Sequence, residues 1–388
     1  MAAPLTLPPK DEREPYAEVR VGPNRVALLK DGFQAYPAML AAIASAKSTI
    51  CLETYILRED ATGTRFLEAL VERARAGVEV LVMYDSWGSD VSDITLASLR
   101  SEGIKVLVFR PWKYVGSLSR AFAKVSRRNH RKSLIVDGVI GFTGGLNLSN
   151  DYAAVVDGGH GWRDTHVRIS GPDAAALERL FLTTWLQHKG PAFEQRRFNR
   201  PRIAGCEKLK VVGNDFALDR KGIRRAYENA FRAAKERIFV TNAYFLPPAK
   251  LVKALVAAAR RNVRVGVILA ATTDVKLVLY AARGLYPRLL KQGIEVYEWN
   301  AGRVLHAKTA VVDGAWATIG SANLDPLSLR QNLEVNAIVT EPAFAASLEK
   351  LFLEDLQHCH RVTMEHVRGY GLLQRALSWV AYRLRHWL

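Results

Sequence analysis

Two short segments, NHRKSLIVDG at 129–138 and LHAKTAVVDG at 305–314, repeat one spacing of His, one residue, Lys, four residues and Asp. They supply His130, Lys132 and Asp137, then His306, Lys308 and Asp313. A histidine can attack as a nucleophile or carry a proton, and a nearby lysine offers positive charge to an anion. Asn147 and Asn323 follow the two cassettes and can donate amide hydrogens to the same anion. The set suits transfer of a singly charged phosphodiester: one histidine attacks, the other protonates the departing alkoxide, and lysines and asparagines hold the nonbridging oxygens. Gly144 with Gly145, and Gly320 with Ser321, allow close approach of backbone and small side chains to substrate. The copies differ here, because Gly145 stands where the second has the Ser321 hydroxyl. Asp137 and Asp313 complete the catalytic cassettes but occupy Asp-Gly turns, where a carboxylate holds a loop more readily than it meets substrate.

The elements that must position these residues also occur twice. STICLETYI at 48–56 and RIFVTNAYF at 237–245 read as strands, followed by the helical stretches FLEALVERARAG and LVKALVAAARRN and the strands VEVLVMYD and VRVGVILA. Further helical stretches end at Gly103 and Gly293, before the strands GIKVLVF and GIEVYEW. This order predicts an α/β sheet covered by helices in each half, with each cassette histidine at the start of a strand and its lysine on the same face. Packing of the halves about a pseudo-twofold axis would bring His130 and His306 to one phosphate. The first copy carries extra residues at 111–129, mixing Trp112, Tyr114, Leu118, Phe122 and Val125 with Lys113, Arg120, Lys124, Arg127 and Arg128. They read either as a solvated basic loop or as a lip that meets lipid headgroups.

At 388 residues the chain exceeds one ordinary hydrophobic core. The predicted division is an extension at 1–20, domains at 21–200 and 201–365, and a tail at 366–388. Lys and Arg number 55 against 38 Asp and Glu, a net charge of +17 that favours nucleic acid or an anionic membrane as partner. Cys51, Cys206 and Cys359 lack the paired spacing of a zinc site or disulfide framework and read as buried, inert thiols. The first twenty residues contain no apolar signal-peptide core, and no apolar run reaches the roughly 20 residues that cross a bilayer. A soluble or peripheral protein is expected.

The doubled cassettes, each with its glycine-asparagine element, resemble the phospholipase D superfamily and, within it, the short bacterial cardiolipin synthases that lack N-terminal transmembrane helices. The likeness runs from about Val26 to about Leu351. It implies two tandem α/β/α sandwich domains with one active site at their interface, no metal and no cofactor. It also implies that His130 forms a phosphohistidine and that His306 is the acid, although near-symmetry leaves the reverse open. Asp164 in GWRDTHV and Glu334 in QNLEVN match the family's orienting carboxylates; which acid serves which histidine stays open. WRDTHVRISGP, NAYFLPP and GSANLDPLSLRQNLEVN resemble the synthases more than the superfamily's nucleases.

The tail, GYGLLQRALSWVAYRLRHWL, places Leu373, Leu377, Val380, Leu384 and Trp387 on one helical face and Arg375, Arg383 and Arg385 off it. Such a helix serves as an interfacial anchor or docks on the core. The resulting expectation is phosphatidyl transfer from phosphatidylglycerol, with phosphatidylethanolamine as an alternative donor, to a phosphatidylglycerol hydroxyl. The expected place is the cytoplasmic face of a bacterial membrane, bound peripherally to anionic phospholipid. A phospholipase D-type hydrolase or a nuclease is the competing reading, with nucleic acid the less favoured partner. Because the halves complete one site, no oligomer is required.

Overall fold

The structure, a computed structural model, describes residues 16–111, 127–198, 205–214, 221–273 and 275–383. In the first half the strands are β1 (Val19–Val21), β2 (Asn24–Lys30), β3 (Thr49–Thr54), β4 (Glu79–Asp85), β5 (Lys105–Phe109), β6 (Ser133–Val136), β7 (Ile140–Gly144) and β8 (Thr165–Ser170). They form one sheet in the order β1-β2-β8-β7-β6-β3-β4-β5. Strands β3, β4 and β5 run parallel, linked through α2 (Ala61–Arg75) and α3 (Asp93–Ser101); the rest of the sheet is antiparallel, with α1 (Asp31–Ser45) after β2 and α4 (Ala175–Gln187) after β8. Every residue of β3 and β4 is buried, as their continuous β-branched and apolar runs require of strands covered on both faces.

The second half repeats the pattern with β9 (Leu209–Asn214), β10 (Arg237–Asn242), β11 (Arg264–Ala270), β12 (Glu295–Trp299), β13 (Lys308–Val312), β14 (Trp316–Gly320), β15 (Glu334–Val339) and β16 (Cys359–Val362). Its order is β9-β15-β14-β13-β10-β11-β12-β16, so β9 takes the place of β2 and β16 extends the opposite edge. Its helices are α5 (Gly222–Ala233), α6 (Ala249–Arg260), α7 (Lys276–Leu290), α8 (Pro326–Arg330), α9 (Pro342–Leu356), α10 (Met364–Arg368) and α11 (Leu372–Arg383). Two apolar clusters lie each within one half, while a third joins Leu28, Phe181 and Trp185 of the first to Phe239, Leu348 and Phe352 of the second. Helix α4 packs on β9 as well as on its own sheet, and α9 packs on β2 as well as on its own. Burial of this shared layer fixes one half against the other.

Two expectations change. The tail helix α11 packs on α7 through Ser378 and Ala381, where Gly284 admits the Ser378 carbonyl and Tyr382 Cβ. Two residues of its apolar stripe face outward instead, Leu377 at 42% exposed and Val380 at 46%, as does Trp379 off the stripe at 60%. Docking thus uses the small face and leaves Leu377 and Val380 exposed; Leu384, Arg385 and Trp387 lie outside the described residues. Of the segment expected as a headgroup lip, 112–126 also lies outside them, but Arg128 is buried, drawn in by Asp85 at the end of β4. Cys51 is buried as expected, whereas Cys206 and Cys359 are half-buried.

Candidate active site

Each histidine lies in an extended stretch just ahead of its strand, not within it. His130 N donates to Leu333 O at 3.0 Å, and His306 N donates to Arg163 O at 2.7 Å. Each cassette is therefore clipped to the residue preceding a carboxylate of the other half, because Glu334 follows Leu333 and Asp164 follows Arg163. The acids consequently cross over. His130 Nδ1 lies 3.1 Å from Glu334 Oε1, and His306 Nδ1 lies 2.7 Å from Asp164 Oδ2. An Nδ1–H donated to the carboxylate leaves each Nε2 as a lone pair for chemistry.

Electrostatics differ between the partners. Burial and the charge on Lys132 hold the His130 pKa below its ordinary value, against the opposing pull of Glu334. Burial raises the Asp164 pKa, opposed chiefly by Lys308. Lys132 is pushed down to about 7 by burial. Its ammonium donates to His130 O at 2.6 Å and lies 5.2 Å from the Tyr55 ring centre. Lys308 donates to the His306 carbonyl in the same way.

The remaining predicted residues separate. Asn147 and Asn323 line the cavity that holds both histidines. Asn147 accepts from Ile56 N at 3.0 Å and donates to the Tyr152 hydroxyl at 2.7 Å, whereas Asn323 Oδ1 is buried without a partner among the described residues. The Ser321 hydroxyl donates to Glu334, bracing the acid. Gly145 has a different reason to be glycine: a Cβ there would stand 2.0 Å from Asp164 Oδ1. Aspartate is one methylene shorter than glutamate and must lie against the backbone, so the first half has no room for the serine that the second half uses. Asp137 and Asp313 stay away from the site. Asp137 accepts backbone N–H bonds from Lys47, Ser48 and Thr49, and Asp313 from Lys235, Glu236 and Arg237, tying each turn to the start of β3 or β10.

The cavity measures about 630 Å³, within the usual range for small-molecule sites. Several of its features carry no sequence signal of their own. Tyr55 packs edge-on to His130 at 4.7 Å, while Tyr152 and Trp162 lie 5.2 and 5.9 Å from the His306 ring. Asp325 caps α8 by accepting from Ser328 N at 2.7 Å and is pushed up to about 7 by burial. Arg163, adjacent to Asp164, grips Asp355 at 2.8 and 2.7 Å and Asp31 at 3.1 Å, and so fixes the strand that carries the acid.

A duplicated α/β fold whose two His-x-Lys cassettes meet at one cavity defines an enzyme of the phospholipase D superfamily. Comparison with known families matches residues 39–185 and 227–356 to "Cardiolipin synthase, PLD-like domain". The chain belongs to this family of phosphatidyltransferases. It is similar to cardiolipin synthase B of Salmonella typhimurium, with 37% identity over 330 residues covering 84% of this chain and 78% of that one. It is also similar to a probable cardiolipin synthase of Bacillus subtilis, 32% identical over 345 residues covering 88% and 67% of the two chains. Among solved structures, phosphatidylserine synthase of Haemophilus influenzae shares the fold, with a TM-score of 0.70, 14% identity and coverage of 96% of this chain and 95% of that one. No described helix is long and apolar enough to cross a membrane.

Proposed function

We propose that the protein moves a phosphatidyl group from phosphatidylglycerol to the hydroxyl of a second phosphatidylglycerol, giving cardiolipin and glycerol. The observation that carries this reading is the pair of crossed dyads, His130–Glu334 and His306–Asp164, opening on one cavity. His130, kept neutral by burial, attacks phosphorus through Nε2 and forms a phosphohistidine as the P–O bond to glycerol breaks. His306, in the shorter contact with its carboxylate, carries the proton and gives it to the departing glycerol oxygen. In the second step neutral His306 takes the proton of the incoming hydroxyl, whose oxygen displaces His130 from phosphorus.

Lys132 and Lys308 supply positive charge, and Asn323 lies at the cavity wall, where its amide N–H can donate to a phosphate oxygen. A phosphate bound there would draw the lysine ammoniums from the carbonyls they now face. The exposed Leu377, Trp379 and Val380 of α11, with the excess of basic residues, favour peripheral binding to an anionic membrane on its cytoplasmic face. Labelled phosphatidylglycerol in vesicles should yield labelled cardiolipin with the wild-type protein and none with His130→Ala. Release of phosphatidic acid alone, or cleavage of single-stranded DNA without lipid transfer, would replace this reading with a hydrolase or a nuclease.

A further inference from the structure

Arg128 stands two residues before His130 and lines the same cavity. Its side chain is 5% exposed, and its guanidinium carbon lies 5.2 Å from the centre of the Trp87 ring, another cavity wall. Among the described residues, its side-chain hydrogen bonds all leave from Nη1 and all are long: 3.4 Å to Asp85, 3.4 Å to the Ser86 hydroxyl and 3.3 Å to the Arg110 carbonyl. Nε is buried with no hydrogen-bond partner among the described residues. An unpaired buried N–H is costly and rare, so a ligand that satisfies it gains affinity.

Asp85 does not complete this guanidinium, since its two oxygens also accept the backbone N–H groups of Asn129 and Trp87, each at 2.8 Å. Arg163, also buried beside the site, shows what saturation looks like, with two short bonds to Asp355 and further bonds to Asp31 and Thr165. Arg73, Arg168 and Arg224 also bury an Nε without a partner among the described residues, but of these four only Arg128 lines the cavity.

The internal repeat sharpens the point. Strand β11 pairs Ala270 with Trp299 as β4 pairs Asp85 with Phe109, so alanine replaces Asp85 in the second half. Thr272 follows where the first half has Trp87, and Val304 precedes His306 where Arg128 precedes His130. The catalytic elements are duplicated, but the Asp85–Trp87–Arg128 unit is not. It therefore serves something needed once per turnover. Joining two phospholipids has one such requirement: the acceptor brings a second phosphate that does not react.

We propose that Arg128, presented by Asp85 and Trp87, is a second anion subsite that binds the non-reacting phosphodiester of the acceptor phospholipid; this rests on the transfer reading above. A guanidinium can present phosphate oxygens with a fork of two N–H groups, which a lysine would not match. The neighbouring cavity arginine, Arg58, is half-exposed and paired with Asp151 at 3.6 Å, and so is less suited to the role.

The test partitions a common intermediate. Vesicles of phosphatidylcholine containing labelled phosphatidylglycerol are incubated with a fixed concentration of 1-butanol, and the ratio of cardiolipin to phosphatidylbutanol is read. The donor step cancels in this ratio, so a general loss of folding or catalysis does not move it. Arg128→Gln should lower the ratio roughly 10- to 100-fold, the range for one lost charge-assisted contact, and Arg128→Lys should fall between Arg128→Gln and wild type. An unchanged ratio in Arg128→Gln, at whatever total rate, overturns the subsite. Wild-type protein that makes phosphatidylbutanol but no cardiolipin would instead sink the transfer reading, a separate result.

Discussion

The difference between Gly145 and Ser321 provides a sharp perturbation of the crossed dyads. In Gly145→Ala the new Cβ would meet Asp164 Oδ1 at 2.0 Å, Oδ2 at 2.5 Å and Cγ at 2.6 Å, where ordinary contact begins near 3.4 Å. Asp164 has nowhere to retreat, because Oδ1 accepts from Thr165 N at 2.7 Å and Oδ2 meets His306 at 2.7 Å, while its own N–H donates to Asp31 at 2.8 Å. Relief of the clash moves the carboxylate by about 1 Å, a displacement that costs roughly 100-fold in rate, or about 2.7 kcal/mol of transition-state stabilisation. The assay is cardiolipin formation in vesicles, with a thermal melt to confirm that the variant folds. Gly145→Ser should be equally impaired, and adding Asp164→Glu, which copies the Ser321–Glu334 arrangement, should recover at least part of the loss. A folded Gly145→Ala that keeps more than about a third of wild-type kcat/KM would show that the dyad tolerates this displacement and that Gly145 is not required by Asp164.

The proposed attack by His130 requires its neutral form. Because its pKa is held below the usual value of about 6.5, kcat/KM should stay level as pH falls to that point and decline only below it. Glu334→Gln removes the group that opposes the shift and should move the midpoint lower still; a wild-type midpoint above 7 would contradict the assignment. His166 is pushed down to about 4 by burial, so it is neutral in the fold at pH values where the unfolded chain binds a proton. Stability should therefore fall by about 3 kcal/mol as pH drops from about 6.5 to about 4. Denaturant titrations should show that part of the slope missing in His166→Gln, and parallel slopes would rule the effect out. Leu377→Glu with Val380→Glu alters exposed α11 residues and should abolish sedimentation with anionic vesicles while leaving the melt within a few degrees of wild type. Unchanged sedimentation would remove α11 from the membrane contact.

The doubled catalytic spacing is local and the strand-helix order recurs, so both cassettes and the two-sheet architecture were legible in the chain. The pairing of Glu334 with His130 and of Asp164 with His306 was not, because it depends on backbone bonds between halves, Leu333 to His130 and Arg163 to His306, that no local pattern encodes. Burial of Arg128 follows from an aspartate 43 residues earlier in the chain, which a reading of the basic segment alone could not supply. The tail illustrates another limit. Helical periodicity identified Leu377 and Val380 as one apolar face but not which face docks, and the small residues Ser378 and Ala381 take that place because Gly284 permits close approach. Gly145 seemed a departure from a serine-bearing pattern until the shorter Asp164 accounted for it.

In the proposed mechanism the two half-sites form one centre and His130 carries the phosphatidyl group. Rapid quenching during turnover of labelled phosphatidylglycerol, followed by peptide mapping under alkaline conditions that preserve phosphohistidine, tests it most directly. One acid-labile adduct per chain is expected, on the peptide containing His130, and none in His130→Ala. An adduct on His306, or cardiolipin formation that persists in His130→Ala, would contradict it.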